Sequence, residues 1–324
     1  MSILVTGGTG AIGSWVSRML VEQGHETVAL DVAPNTTLLD GINQSKLKIV
    51  RGDVTDLAFV LDTVKKHHVA TIIHTAALIL DYAQSNPALA LRVNCDGTMH
   101  LLEAARLFDV GRLVFTSTGG VLGPSYGEYG HPIYKPTAED RLKNPNNMYS
   151  YTKLMCEGLG MTYRGTYGVD FVALRFKSLY GPMRYRHGPV ARVDKMVLQA
   201  LQGEPIQVPK NGEIKNDWTY NKDCAKALLL ASLADKLGHP LYHIGTGIGT
   251  SLNRVAEIIQ GLIPGSKIST SSTEKEEIAV ASQAGVMDYG RAEHDFAFKP
   301  DYPIEEGLKD YLSVLDQFKI DPTQ

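Results

Sequence analysis

The sequence predicts a doubly wound parallel α/β sheet of the Rossmann type, with a smaller α+β substrate domain interleaved into its second half. Three observations predict it. Short apolar runs alternate with helix-patterned segments through the first half, as strands buried on both faces do. The glycine cluster "TGGTGAIG" (6–13) follows the first run directly and opens the first helical pattern. The residues suited to chemistry fall at the carboxyl ends of the runs, where ligands of such sheets sit.

In chain order, "SILVTG" (2–7) is the first strand and a helix runs from Ala11 to about Gln23. "ETVALD" (26–31), "KLKIV" (46–50), "ATIIHTAA" (70–77), "GRLVFTST" (111–118) and "VDFVALRF" (169–176) are the next strands. Helical patterns at 56–67, 86–108 and 149–167 lie between them. Past residue 176 the pattern loosens into a loop, "SLYGPMRYRHGP" (178–189), a helix at about 190–202, a helix at 221–235 and a strand at 240–247. Two or three helices with short strands complete the chain. The expected division is a dinucleotide-binding domain over 1–176 and 217–246, and a substrate domain over 177–216 and 247–324.

The 324 residues carry a net charge of −3, with 44% apolar and 21% charged residues. That composition is ordinary for a globular chain and offers no bulk attraction to nucleic acid or anionic membrane. No basic leader and no membrane-length apolar run is visible, and the three cysteines, Cys95, Cys156 and Cys224, form no CxxC. A cytoplasmic protein with buried thiols is the expectation. His67, His68 and His131 have no partner motif, so no metal is expected.

The spacing Gly7-xx-Gly10-xx-Gly13 lets backbone approach a pyrophosphate at the positive end of a helix. Asp31 ends the second strand, where a carboxylate accepts from ribose hydroxyls and repels a 2′-phosphate; with Val32 and Ala33 following, NAD is favoured over NADP. Asp53, after the third strand, either meets the adenine amino group or serves a turn. In "MYSYTKLMCE" (148–157), Tyr149 and Lys153 lie one helical turn apart and share a face. Tyrosine's ordinary pKa of about 10 is too high for a base at neutral pH. A neighbouring ammonium favours the phenolate. Tyr149 is thus the expected acid/base and Tyr151 a bystander, with Ser117 or Thr118 of "FTST" supplying a hydroxyl for the substrate oxygen.

Together these motifs resemble the extended short-chain dehydrogenase/reductases, the NAD-dependent epimerase/dehydratase type. "HTAA" (74–77), "NCDGT" (94–98), "STGGVLG" (117–123), "LRFKSLYGP" (174–182) and "DWTYNKD" (217–223) extend the likeness over nearly the whole chain. The resemblance implies a cofactor site made of Gly7, Gly10, Ala11, Ile12, Gly13, Asp31, Asp53, Val54, Ala76, Ala77, Asn94, Thr116, Tyr149, Lys153, Phe176 and Ser178. Within it Lys153 holds the nicotinamide ribose, Asn94 braces a helix, and Phe176, Lys177 and Ser178 pass the nicotinamide. It makes Thr118 the catalytic hydroxyl, with Ser117 second, and implies a homodimer through the helices at 86–108 and 149–167.

The departures bear on substrate. Dehydratases carry Asp-Glu where Gly119 and Gly120 stand; UDP-sugar epimerases usually have Asn at the Ser178 position and Arg at the Asn216 position. Candidate substrate contacts are Gly119, Tyr126 and His131 in the 119–134 loop, and Arg184 and Arg186 in the 181–188 loop, the rival reading being plain surface loops. Arginines there suit a carboxylate or phosphate. The expectation is an NAD-dependent oxidoreductase acting on an alcohol carbon of a sugar, sugar acid or small hydroxy compound. A nucleotide-sugar epimerase is the alternative, and a silent NAD-binding regulator the remoter one.

Overall fold

The computed structural model describes residues 1–183 and 192–321. Seven parallel strands build the central sheet: β1 (Ser2–Thr6), β2 (Thr27–Asp31), β3 (Leu47–Arg51), β4 (Val69–His74), β5 (Arg112–Thr118), β6 (Phe171–Phe176) and β11 (Leu241–Ile244). Their order is β11-β6-β5-β4-β1-β2-β3, so the chain winds outward from β1 in one direction, then returns to its other side. The switch lies between β1 and β4, and a crevice opens there at the carboxyl ends.

Helices cover both faces: α1 (Gly13–Glu22), α2 (Leu57–Lys66), α3 (Leu80–Ser85), α4 (Pro87–Ala90), α5 (Gly97–Leu107), α6 (Met148–Tyr167) and α8 (Asn221–Leu233). Sheet side chains divide accordingly into two cores. Val5, Ile73, Val114 and Val172 pack toward α1 and α8; Leu4, Ile72, Leu113 and Phe171 pack toward α2, α5 and α6. That alternation along single strands is why they read as continuous apolar runs.

A third core, with Tyr180, Met196, Trp218, Tyr220, Val255 and Tyr311, belongs to the smaller unit. It is assembled from β7 (Leu179–Tyr180), α7 (Arg192–Leu201), β8 (Ile206–Val208), β9 (Lys215–Asp217), β10 (Thr219–Tyr220), β12 (Gly249–Ser251), α9 (Leu252–Leu262), β13 (Ile268–Thr270), α10 (Glu274–Gln283), α11 (Gly290–Phe296) and α12 (Ile304–Gln317). Among the described residues four helices follow β11, against the two or three read from sequence. Short α11 is polar in sequence, "GRAEHDF", yet its Ala292 and Phe296 pack back on the sheet core beside Tyr242. The predicted helix at 86–108 is also interrupted, by a π-helical turn over Leu91–Asp96 that carries Asn94.

Two histidines are sealed in the fold as neutral groups. His74, at the end of β4, lies between Thr6 Oγ1 (2.6 Å) and Thr98 Oγ1 (3.1 Å), and burial with nearby Lys153 pushes it down to about 3. His243 of β11 meets the Thr137 carbonyl at 2.9 Å and is likewise pushed down to about 3, chiefly by burial. Folded values below the unfolded 6.5 mean that the unfolded chain takes up protons first as pH falls. Their contribution to stability is therefore complete above pH 6.5 and declines toward pH 3, by about 1.4 kcal/mol per histidine per pH unit. Thermal melts across that window should show a shallower slope in His74→Asn/His243→Asn. An unchanged slope in the double variant would assign the acid sensitivity elsewhere.

Candidate active site

The glycine loop is fixed by close approach. Gly7 has φ +63°, and a Cβ there would meet Ala76 N at 2.8 Å, so the loops after β1 and β4 touch. A Cβ on Gly13 would collide with the Gly7 carbonyl oxygen, which makes glycine obligatory at the start of α1. Gly10, by contrast, is exposed on its outer side. Ile12 caps α1 with no side-chain hydrogen bond, so the amides at this helix start are left without a side-chain acceptor. An open cradle at a positive helix end fits a pyrophosphate.

Asp31 sits half-buried at the end of β2. Its Oδ2 accepts from Thr9 Oγ1 (2.8 Å) and Thr9 N (3.2 Å), and Oδ1 accepts from Ala33 N (3.2 Å). These bonds fix the carboxylate at the rim of the crevice. Asp53 is exposed and accepts from Thr55 N at 2.9 Å, the turn geometry that sequence left open. Val54 is buried beneath it, against Gly97.

At the other side of the crevice, Asn147 starts α6 by accepting from Ser150 N (2.9 Å), and this places Tyr149 in the first turn. Lys153 follows one turn later and is buried, its Nζ 5.8 Å from the Tyr149 ring centroid and 4.5 Å from that of Phe115. Burial pushes the Lys153 ammonium down to about 8. Asn94 braces this region through three bonds. Its Oδ1 accepts from Leu78 N (2.7 Å), and its Nδ2 donates to the Leu78 carbonyl (2.9 Å) and Thr152 Oγ1 (2.9 Å). One amide thus ties the loop after β4, with Ala76 and Ala77, to α6.

The two hydroxyl candidates part company. Ser117 is buried and donates to Glu157 Oε1 at 2.5 Å, inside the bidentate Glu157–Arg175 pair. Thr118, its neighbour on the opposite face of β5, is partly exposed at the strand end. Its Oγ1 accepts from Gly120 N (3.1 Å), which directs its own hydrogen elsewhere. Thr116 is spent on the His74 carbonyl, 2.9 Å away.

Phe176 pairs with Thr118 in the sheet register, so Lys177 and Ser178 extend along the same rim. Tyr126 is 71% exposed. His131 is engaged by Tyr134 (2.8 Å), whose hydroxyl also accepts from Lys215 N (3.0 Å). Cβ atoms on Gly119 and Gly120 would meet Met287 Cε at 2.7 Å and Ser150 Oγ at 2.5 Å, so side chains there would have to displace those two side-chain ends. Arg184 and Arg186 lie outside the described residues. Sequence reasoning missed Thr9, Glu157 and Asn221, whose Nδ2 ties the Ala11 carbonyl to that of Pro182 (both 3.1 Å). None stands in a pattern that advertises its partner. Among the described residues no cluster has the makeup of a metal site, and no helix is long and apolar enough to cross a membrane.

A doubly wound sheet with a glycine cradle at its switch point, an acidic residue ending β2, and a Tyr–Lys pair beside a strand-end hydroxyl defines an extended short-chain dehydrogenase/reductase. The comparisons narrow the class. The chain belongs to the NAD-dependent epimerase/dehydratase family, whose model matches residues 3–245. It is 30% identical to a putative UDP-glucose 4-epimerase of Methanocaldococcus jannaschii over 95% of this chain and 96% of that one. A UDP-glucose 4-epimerase of Thermus thermophilus, solved with NAD, superimposes with TM-score 0.82 at 25% identity, covering 99% of each chain. MoeE5, solved with UDP-glucuronic acid and NAD, gives TM-score 0.82 at 26% identity, over 98% of this chain and 99% of that one. The enzyme is NAD-dependent, and the cradle, the uncapped α1 and the position of Asp31 fit that cofactor.

Proposed function

We propose that the protein oxidises an alcohol carbon of a sugar or sugar acid, with Tyr149 accepting the hydroxyl proton. NAD, when bound, supplies the hydride acceptor. Gly7, Gly10, Ala11, Ile12 and Gly13 would hold its pyrophosphate, Asp31 its adenosine ribose and Lys153 its nicotinamide ribose. Thr118 donates to the substrate oxygen, because its lone pairs already receive the Gly120 amide. Lys153 favours the phenolate, and Asn94 holds the wall on which both residues stand.

The observation that carries a dehydrogenase outcome is the bond between Asn216 Nδ2 and Ser178 Oγ, 2.5 Å long. The two positions where nucleotide-sugar epimerases usually contact their substrate are here turned toward each other. The relatives support a second reading, a nucleotide-sugar 4-epimerase, in which the hydride returns to the opposite face. Purified enzyme with added NAD, offered free sugars and sugar acids beside UDP-, GDP- and dTDP-sugars, separates the two. Net NADH with a free compound is expected. Isomer interconversion of a nucleotide sugar without net NADH would make the protein an epimerase.

We propose the cofactor and substrate domains as divided above, with α11 packed back on the sheet. Exposed Met99 and Leu107 on α5, and Tyr151 and Met155 on α6, support a homodimer through these helices. The buried free thiols of Cys95, Cys156 and Cys224 support a reducing, cytoplasmic setting.

A further inference from the structure

Beside Thr118, the rim of β6 carries a charged side chain that the hydride chemistry does not use. Lys177 is half-buried, with its Cδ 3.5 Å from where a Cβ on Gly119 would stand. Its Nζ donates to a neutral acceptor, the Ala284 carbonyl, at 3.2 Å. Asp217 is the carboxylate whose charge it feels, but that group already accepts from Thr246 N, Thr246 Oγ1, Gly247 N and Met287 N at 2.7–3.2 Å. Arg141 adds a second positive charge from the 119–134 side, stacked 5.0 Å from the Tyr129 ring. Burial holds the Lys177 ammonium down to about 8, the condition in which an incoming anion is most welcome.

An unsatisfied acceptor lies next to it. Asn216 is 4% exposed; its Nδ2 is spent on Ser178, and among the described residues its Oδ1 meets no donor. A buried amide oxygen left alone is costly, and a substrate hydroxyl would satisfy it. Ser178, at φ +25°, directly follows Lys177, and its Oγ accepts from Asn216 Nδ2.

We propose that Lys177 and Asn216 form the specificity subsite of this enzyme, Lys177 binding a carboxylate on the substrate and Asn216 Oδ1 accepting from a hydroxyl of the same molecule. The substrate is then an anionic polyol, a sugar acid, either free or carried on a nucleotide. This rests on the oxidation reading above, and the subsite takes the place of the diphosphate contacts that Ser178 and Asn216 do not make.

The test is calorimetric titration of the NAD-loaded enzyme with four probes: glucuronate, glucose, UDP-glucuronate and UDP-glucose. Wild type is expected to bind an acid at least about tenfold tighter than its neutral counterpart, a difference of about 1.4 kcal/mol. Lys177→Met, close in volume, and Lys177→Gln should both bring that ratio near one. Equal binding of acid and neutral probes by wild type overturns the proposal, as does a ratio that survives in both variants. Binding of glucuronate without NADH formation would uphold the subsite and refute the dehydrogenase outcome. Selectivity confined to the UDP-linked pair would uphold the carboxylate contact and place its source on a nucleotide.

Discussion

Tyr149→Phe is expected to lower turnover by about 10²–10⁴-fold, the usual worth of a positioned proton-transfer group. The substitution removes one oxygen and keeps the ring that stands 5.8 Å from Lys153. The start of α6 should survive it, because Asn147 caps the helix through the backbone of Ser150. The glycine cradle lies on a different element, so NAD affinity should change little. A stopped assay with intact NAD binding is the expected signature, read by NADH absorbance or isomer analysis beside a cofactor titration. Turnover within a few-fold of wild type would remove Tyr149 from the chemistry.

Arg175→Met should destabilise the fold more than any surface change. Arg175 is fully buried and donates to Glu157 through Nε (2.7 Å) and Nη2 (2.6 Å), with Nη1 on the Glu139 carbonyl (3.1 Å). Removing the guanidinium strands a carboxylate in the core, at a cost of about 3–5 kcal/mol. The double variant Arg175→Met/Glu157→Leu removes both charges and should recover much of that loss. Glu157 stands one turn beyond Lys153 on α6 and accepts from Ser117, next to Thr118, so the pair also sets the reactive residues' mutual spacing. Chemical denaturation of the two variants gives the comparison. A single variant within about 1 kcal/mol of wild type, or a double variant weaker than the single, would contradict this account.

The glycine loop, the strands and the Tyr–Lys pair were legible because each follows from local geometry: a tight turn, a two-sided apolar run, one helical turn. Choosing between Ser117 and Thr118 was not. Adjacent strand residues face opposite ways, and nothing local says which face carries Glu157, 40 residues downstream of Ser117. The π-helical turn at Asn94 was hidden because "LRVNCD" carries no proline or glycine to mark a break in the helical pattern. α11 was hidden because only two of its seven residues are buried. In the 119–134 loop the pairing of His131 with Tyr134, and of Tyr134 with the backbone of Lys215, was not legible either, because these partners lie in different segments.

The bond between Ser178 and Asn216 joins positions 38 residues apart. Starting from an asparagine-and-arginine pattern, a change at the first position alone leaves a serine facing an arginine that still expects a diphosphate. A change at the second alone leaves two amides facing each other, one of them buried. Either intermediate is disfavoured, so the two positions should travel as a pair through related sequences. Where one has drifted without the other, the preference for substrate should be blurred rather than switched.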